Sequence, residues 1–389
     1  MTTAAIWLFW LLVLAVVYAY AGFPLLVALV GQMRNRQVRK QPMTPTASLI
    51  IAAYNEEQVI AKRLENALAL DYPADALEII VASDGSSDAT ESIVAGYADR
   101  GVRLLALPRR GKIHALNEAV RRATGDILVF SDANIFYHRD ALRALIQNFA
   151  DPEVGGVAGN TLYRIDPGSE ASSRGEDLYW RYDKWLKQME SRTGSIISAH
   201  GAIYALRREL YRPVNNAAVT DDFVISTGVI EQGYRLVFER DAHAYEVAVP
   251  DAKGEFRRKV RIMSTGLRAL LLRKALFNPF RYGFYSLILF SHKVLRRFVP
   301  VLLLALFPLS WVLSTSGPLY LAAATGQILF YGMAGMGYLL RANPLGRLKC
   351  FYLPFFYCLA NAAALVALAN LAGGQRIEVW QPQRHGTGT

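Results

Sequence analysis

A chain of 389 residues with 53% hydrophobic residues and positive mean hydropathy has room for a domain of about 200 residues plus several spans of about 20 apolar residues, which argues against a purely soluble protein. The net charge of +11 comes from Lys and Arg beside the apolar stretches and in Arg257, Arg258, Lys259 and Arg261; no nucleic-acid-reading motif accompanies it, so the expected partner is a lipid bilayer and not nucleic acid. The two cysteines, Cys350 and Cys358, both lie in one apolar segment, which excludes a disulfide framework and a Cys-based metal site.

In chain order, the apolar run 4–30 has no charged start, exceeds a signal-peptide core in length and ends in Arg34, Arg36, Arg39 and Lys40. It reads as a retained membrane anchor over residues 1–32, with its N-terminus outside and the following chain in the cytosol. Gln41-Pro42-Met43-Thr44-Pro45 stops any continuing helix, because proline removes a donor and restricts its predecessor. A cytosolic domain over 46–250 follows. Short apolar runs at 48–53, 78–82, 103–106 and 127–130 alternate with amphipathic stretches at 57–70, 90–97, 113–122 and 139–148, the pattern of βαβ units in an α/β domain with a mainly parallel sheet. Beyond them, 155–159, 196–206 and 235–239 read as strands, and 175–190 and 222–232 as helices.

Residues 251–297 turn basic and amphipathic, as a segment on a membrane surface would. Apolar stretches at 299–315, 319–340 and 350–371 then predict about three spans within 298–372, followed by a polar tail at 373–389. Arg296, Arg297, Arg341, Arg347 and Lys349 should be cytosolic, which places 314–318 outside; the side of the tail stays open. The expected location is the inner (plasma) membrane, crossed several times.

Polar motifs stand at the ends of the apolar runs, where open α/β sheets bind ligands. Asn55 and Glu56 follow the first run and read equally as ligand contacts or helix caps. Asp84 opens the turn Asp84-Gly85-Ser86-Ser87-Asp88 and suits a uracil or ribose edge; Asp88 with Glu91 reads as a capping box, which leaves Asp84 unexplained. Arg109-Arg110-Gly111-Lys112 is a basic glycine loop that can meet a diphosphate or be a solvated turn; it lacks P-loop spacing, which argues against a kinase or ATPase. Asp132-Ala133-Asn134, directly after an apolar run, suits a divalent cation (Mg2+ or Mn2+), with a helix cap as the alternative. Asp221 and Asp222 sit where a helix starts, where the dipole favours ionised carboxylates and one is available to take a proton. Arg257, Arg258, Lys259 and Arg261 suit diphosphate oxygens or lipid headgroups alike.

The order of these motifs resembles the membrane-embedded inverting glycosyltransferases of family 2, which include cellulose, chitin, hyaluronan and poly-N-acetylglucosamine synthases. Ala53-Tyr54-Asn55-Glu56, Ser83-Asp84-Gly85-Ser86-Ser87-Asp88, Gly111-Lys112 with Ala115-Leu116-Asn117, Asp132-Ala133-Asn134, Gly201-Ala202-Ile203-Tyr204-Ala205 with Arg207, Thr220-Asp221-Asp222 and Arg258-Lys259-Val260-Arg261-Ile262 carry it. The resemblance implies a glycosyltransferase A-type (Rossmann-like) fold, a nucleotide-sugar donor, usually a UDP-sugar, and a divalent cation. It also implies a lipid-linked or polysaccharide acceptor in envelope or exopolysaccharide synthesis, with export or synthase partner proteins. Carried over, Asn55, Glu56, Asp84, Lys112, Asp132, Arg258 and Arg261 would bind donor, Asp132 and Asn134 the metal, and Asp222 would be the general base, with Asp221 and Ile262 on the acceptor side. Three positions depart from the family pattern. Asn134 replaces an Asp, although an amide oxygen still ligates Mg2+ or Mn2+; Asp221 replaces a Glu; and Ile262 replaces the Trp on which an acceptor sugar would stack. The alternative reading is a nucleotide-sugar-binding sensor, or a synthase or export subunit, without turnover of its own.

Overall fold

All seven residues of β1 (Ala47–Ala53) are buried, which requires cover on both faces of the sheet and a neighbouring strand on each side. The computed structural model, which describes residues 2–164, 173–215, 219–247, 252–341 and 343–375, supplies both. β1 pairs in parallel with β2 (Leu77–Asp84) and β4 (Ile127–Asp132), and β2 pairs in parallel with β3 (Val102–Leu107). The four remaining strands are β5 (Ile135–Tyr137), β6 (Val154–Arg164), β7 (Tyr204–Arg207) and β8 (Arg235–Val247), and the eight-stranded order is β3-β2-β1-β4-β7-β6-β8-β5. β7 runs antiparallel to both of its neighbours, so the sheet is parallel in its first half and mixed in its second.

Two helical segments, α1 (Thr2–Val17) and α2 (Phe23–Arg34), are joined by a π-turn at Tyr18–Gly22 into one apolar rod. The domain then adds α3 (Ile60–Leu68), α4 (Thr90–Ala95), α5 (Lys112–Arg122), α6 (Ala141–Ile146), α7 (Ser173–Thr193) and α8 (Asp221–Glu231). After it come α9 (Ala252–Leu272), α10 (Pro279–Tyr282), α11 (Phe284–Leu289), α12 (Arg296–Val312), α13 (Pro318–Leu339) and α14 (Lys349–Ala372). Alternation along β1 sorts the core: Leu49, Ile51 and Ala53 pack with α3 and α6, while Ile50 and Ala52 pack with α5, α8 and α9. This second core is continuous with Phe23 and Val27 of the anchor and with Ile288 and Leu289 of α11. Domain and membrane helices therefore share one hydrophobic interior.

Four stretches are long and apolar enough to cross a bilayer, namely Thr3–Arg34, Phe284–Ser316, Pro318–Leu339 and Lys349–Ala372, and the chain is a membrane protein. The second reaches back to Phe284, well inside the stretch 251–297 expected to lie along the surface, with a π-turn at Phe290–Leu295 carrying His292 and Lys293. Most of the tail 373–389 lies outside the described residues. The basic flank after the anchor also differs from expectation. Arg36 pairs with Glu153 at 2.8 Å and Lys40 with buried Glu239 at 2.7 Å, so part of that charge fastens the anchor to the domain.

The strand expected at 196–206 is confined to Tyr204–Arg207. Upstream, the N–H groups of Ile197, Ala199 and Gly201 donate to the side chains of Glu190, Ser226 and Asp222. Side chains satisfy this backbone where a ladder would otherwise be needed. Its course brings Gly201 to the end of β4.

Candidate active site

The register pairs Ala53 with Ser83 and Ala52 with Asp132, so β1, β2 and β4 end side by side and deliver their terminal polar residues to one edge. Asn55 takes a left-handed φ of 55° there, which Asn tolerates better than most residues. Its Oδ1 accepts from Ser87 N at 2.7 Å, while its own N–H donates to Ser86 Oγ at 3.0 Å. The Glu56 N–H donates to Thr90 Oγ1 at 2.7 Å, and its carbonyl accepts from Ile60 to start α3. Both motif residues thus stitch the β1 and β2 exits together.

Asp84 is 1% exposed and saturated by the 109–111 loop. It accepts from Arg110 N at 2.8 Å, Gly111 N at 2.9 Å and the Arg109 guanidinium at 2.7 Å. Gly85 is required beside it, because its φ is 69° and a Cβ would sit 2.7 Å from Arg109 N. Arg109 in turn lies 3.3 Å from the centre of the Tyr54 ring. The carboxylate expected to meet the nucleoside also shapes the 109–111 loop, with the stacked Tyr54–Arg109 pair beside it.

The next charged group is Lys112 at the start of α5, whose Nζ lies 2.7 Å from Asp132 Oδ1 and 2.8 Å from Asp221 Oδ2. Burial lowers the pKa of this ammonium, but the two carboxylates outweigh burial and the net shift is upward, so Lys112 is charged. Asp222 Oδ2 accepts from Gly201 N at 2.8 Å, and Oδ1 accepts from Phe223 N at 2.6 Å. Its pKa is raised to about 6 by burial and by Asp221, against the pull of Lys112 and Lys293. The result is a carboxylate that titrates closer to neutrality than an ordinary Asp. Arg261 and Arg258 come from α9. The Arg261 pKa is lowered by burial and then by Arg258, while Asp221 and Asp132 pull it back, so Arg261 lies within electrostatic reach of both carboxylates. Ile262, next on the helix, is 43% exposed.

Asn134 is exposed on the turn between β4 and β5, two residues beyond Asp132. Among the described residues no three His, Cys, Asp or Glu side chains converge on a cation site. One carboxylate and one amide nevertheless fit the hard-oxygen chemistry of Mg2+ or Mn2+, which take most remaining ligands from substrate phosphates and water.

The sequence assigned no role to Lys293, nor to Tyr204 beyond its place in the motif 201–205. Tyr204 stacks on Phe130 at 4.8 Å, and its buried hydroxyl has no hydrogen-bond partner among the described residues. It lines a crevice with Lys112, Asp132, Gly201 and Asp221. Lys293 reaches the site from the second span, lying 5.9 Å from the Phe223 ring and acting on Asp222. The motif 201–205 was the only signal for Tyr204, and a lysine in a membrane flank carried none.

Residues 48–214 match the family described as Glycosyl transferase family 2. The chain is 27% identical over 233 residues to poly-beta-1,6-N-acetyl-D-glucosamine synthase of Staphylococcus aureus, covering 58% of this chain and 55% of that protein. The Staphylococcus epidermidis enzyme of the same name matches over equal shares. The chain thus spans about half the length of the curated relatives it matches. A solved structure, the mannosyltransferase PcManGT from Pyrobaculum calidifontis in complex with GDP-Man and Mn2+, superposes with a TM-score of 0.69 at 25% identity, covering 94% of this chain and 99% of that one. The sheet and its flanking helices therefore have the glycosyltransferase A-type architecture.

Proposed function

We propose that this chain, whose residues 48–214 match the Glycosyl transferase family 2 model, transfers a sugar from a nucleoside-diphosphate donor to an acceptor hydroxyl at the cytosolic face of the inner membrane. The observation that carries the proposal is the joined set Asp132–Lys112–Asp221 beside Asp222, at the shared exit of the parallel strands.

In this reading the donor diphosphate lies over Lys112, Arg258 and Arg261, whose charges offset that of the departing nucleotide. Asp222 accepts the proton of the acceptor hydroxyl, that oxygen bonds to the anomeric carbon, and the bond from that carbon to the diphosphate breaks. Attack opposite the leaving group inverts the configuration. Gly201 N–H fixes the Asp222 carboxylate, and the upward pKa shift gives it useful basicity without removing its charge at neutral pH. Asp132 and Asn134 would hold a Mg2+ or Mn2+, which supplies further charge neutralisation at the diphosphate. The buried Tyr204 hydroxyl is a donor available to whatever enters the crevice. The synthases named above support a polysaccharide or lipid-linked acceptor, and the neighbour's GDP-Man widens the candidate donors beyond UDP-sugars.

Membranes carrying the chain, incubated with a panel of UDP- and GDP-sugars and analysed by mass spectrometry, test the proposal. A product that gains one or more sugar units from one donor is expected. Nucleotide binding without any sugar transfer or donor hydrolysis across the panel would favour the sensor reading.

A further inference from the structure

Two carboxylates from distant parts of the chain converge on one ammonium. Asp132 ends β4 and Asp221 opens α8, yet Lys112 Nζ lies 2.7 Å from an oxygen of the first and 2.8 Å from an oxygen of the second. The Lys112 and Asp221 side chains are 13% and 18% exposed, so water and salt screen these charges weakly. One ammonium matches only one of the two carboxylates. With Lys112 in place, the crevice that these groups line with Gly201 and Tyr204 has no room for a water molecule, so anything that enters must move Lys112.

The Tyr204 hydroxyl opens into the same crevice, buried and without a hydrogen-bond partner among the described residues. Burying an unused hydroxyl is costly, which marks this point as one where a polar group binds. Asp222, the neighbouring carboxylate, already accepts a backbone N–H on each oxygen, from Gly201 and from Phe223. Asp132 and Asp221 are therefore the pair held together by a side-chain cation alone.

We infer that Asp132 and Asp221 form the carboxylate pair that takes the Mg2+ or Mn2+, and that Lys112 occupies the cation's place beforehand and then turns to the donor diphosphate. The inference rests on the glycosyltransferase reading and gives Asp221 a cation-binding role in place of an acceptor one. Asn134 is exposed and adds only an amide oxygen to the 132–134 turn, so the second carboxylate comes from α8. A water held by the cation donates to the Tyr204 oxygen and gives that hydroxyl its partner.

The exchange needs one side chain to move. Asp84 pins the 109–111 loop through Arg110 N at 2.8 Å and Gly111 N at 2.9 Å, whereas Lys112 has a flexible four-carbon stem. Lys112 is also the first residue of α5, where helix N–H groups favour phosphate, so its released ammonium stays beside the diphosphate. There it joins Arg258 and Arg261 in offsetting the charge of the leaving group.

Mn2+ binding to the full chain in phosphatidylcholine nanodiscs without nucleotide, followed by electron paramagnetic resonance, tests the exchange. Lys112→Met keeps an unbranched stem and removes the competing ammonium, so Mn2+ should bind about tenfold tighter than to the parent. In that background Asp221→Asn should weaken binding at least about tenfold, and Asp222→Asn, which removes an equal charge nearby, less than about threefold. In the parent chain, acylation of the Lys112 amine by an N-hydroxysuccinimide ester, mapped by mass spectrometry, should rise when Mn2+ alone is added. No gain in Lys112→Met, equal weakening by Asp221→Asn and Asp222→Asn, or acylation indifferent to Mn2+ would each overturn the inference. Neither donor nor acceptor is present in these measurements, so their failure leaves the sugar-transfer reading intact, and absence of transfer across the donor panel leaves the exchange intact.

Discussion

The backbone N–H of Gly201 donates to Asp222 Oδ2 at 2.8 Å, tying the loop after α7 to the first turn of α8. A Cβ at Gly201 would lie 3.5 Å from Asp222 Oδ2 and 3.7 Å from Asp132 Oδ2, so this loop threads between the two carboxylates. The proposed base is held by the chain segment that also separates it from the proposed diphosphate site.

Replacing that base gives the sharpest outcome. Asp222→Asn keeps the shape and the Gly201 contact but removes the proton acceptor, so transfer should fall about 10²–10⁴-fold. Nucleotide affinity, followed by calorimetry, should stay near that of the parent. Transfer at the parent rate would remove Asp222 from the mechanism.

The pH profile should show an acid limb near pH 6, because the raised pKa of Asp222 leaves its carboxyl protonated below that value. Asp221→Asn removes the negative neighbour and frees Lys112 from one partner, so the limb should move to lower pH. Lys112→Met should move it to higher pH. Shifts of kcat/KM in the same direction for both variants would contradict the arrangement.

Metal use is testable at Asn134. Asn134→Asp adds a carboxylate to the turn and should tighten Mn2+ binding in the presence of UDP or GDP, read by electron paramagnetic resonance. Asp132→Ala should weaken it. Indifference of Mn2+ binding to both changes would place the cation elsewhere.

Glu190 governs a separate pH effect. Burial raises its pKa to about 8, and the side chain pairs with His292 Nδ1 at 3.1 Å while accepting from Ile197 N. The unfolded chain releases this proton near the ordinary value of 4.5, so the folded state holds an extra proton between the two values. Stability is full below about 4.5 and falls as pH rises towards 8. Glu190→Gln should flatten that decline in thermal unfolding between pH 5 and about 8, since an amide can keep both hydrogen bonds without ionising. An unchanged slope would show that Glu190 titrates normally.

Much of this architecture was legible in the sequence because its signals are local. β1 to β4, α5, α8 and the three C-terminal apolar helices follow from hydrophobic period and from the polar residues that close each run. Asp132, Lys112 and Asp222 were singled out for the same reason, and the fold places them together. What escaped depends on distant partners. The Asp84–Arg109 ion pair, 25 residues apart, could not be seen, nor could the electrostatic pull of Lys293, from a membrane helix, on Asp222. The stretch 196–203 reads as a strand by composition, yet its N–H groups are taken by side chains from α7 and α8, and no pattern within the stretch reveals that.

The contacts around α8 have a mechanical consequence. Arg273, just beyond α9, donates to Val224 O at 2.7 Å and pairs with Glu231, while Arg297 of the second span lies near Thr220. The helix that carries Asp222 is thus gripped from the membrane side at both ends. A bilayer thinner or thicker than the apolar length of the second span makes that span tilt. Such a tilt would reach α8 through these contacts, so the proposed transfer is expected to vary with acyl-chain length when assayed in bilayers of different thickness.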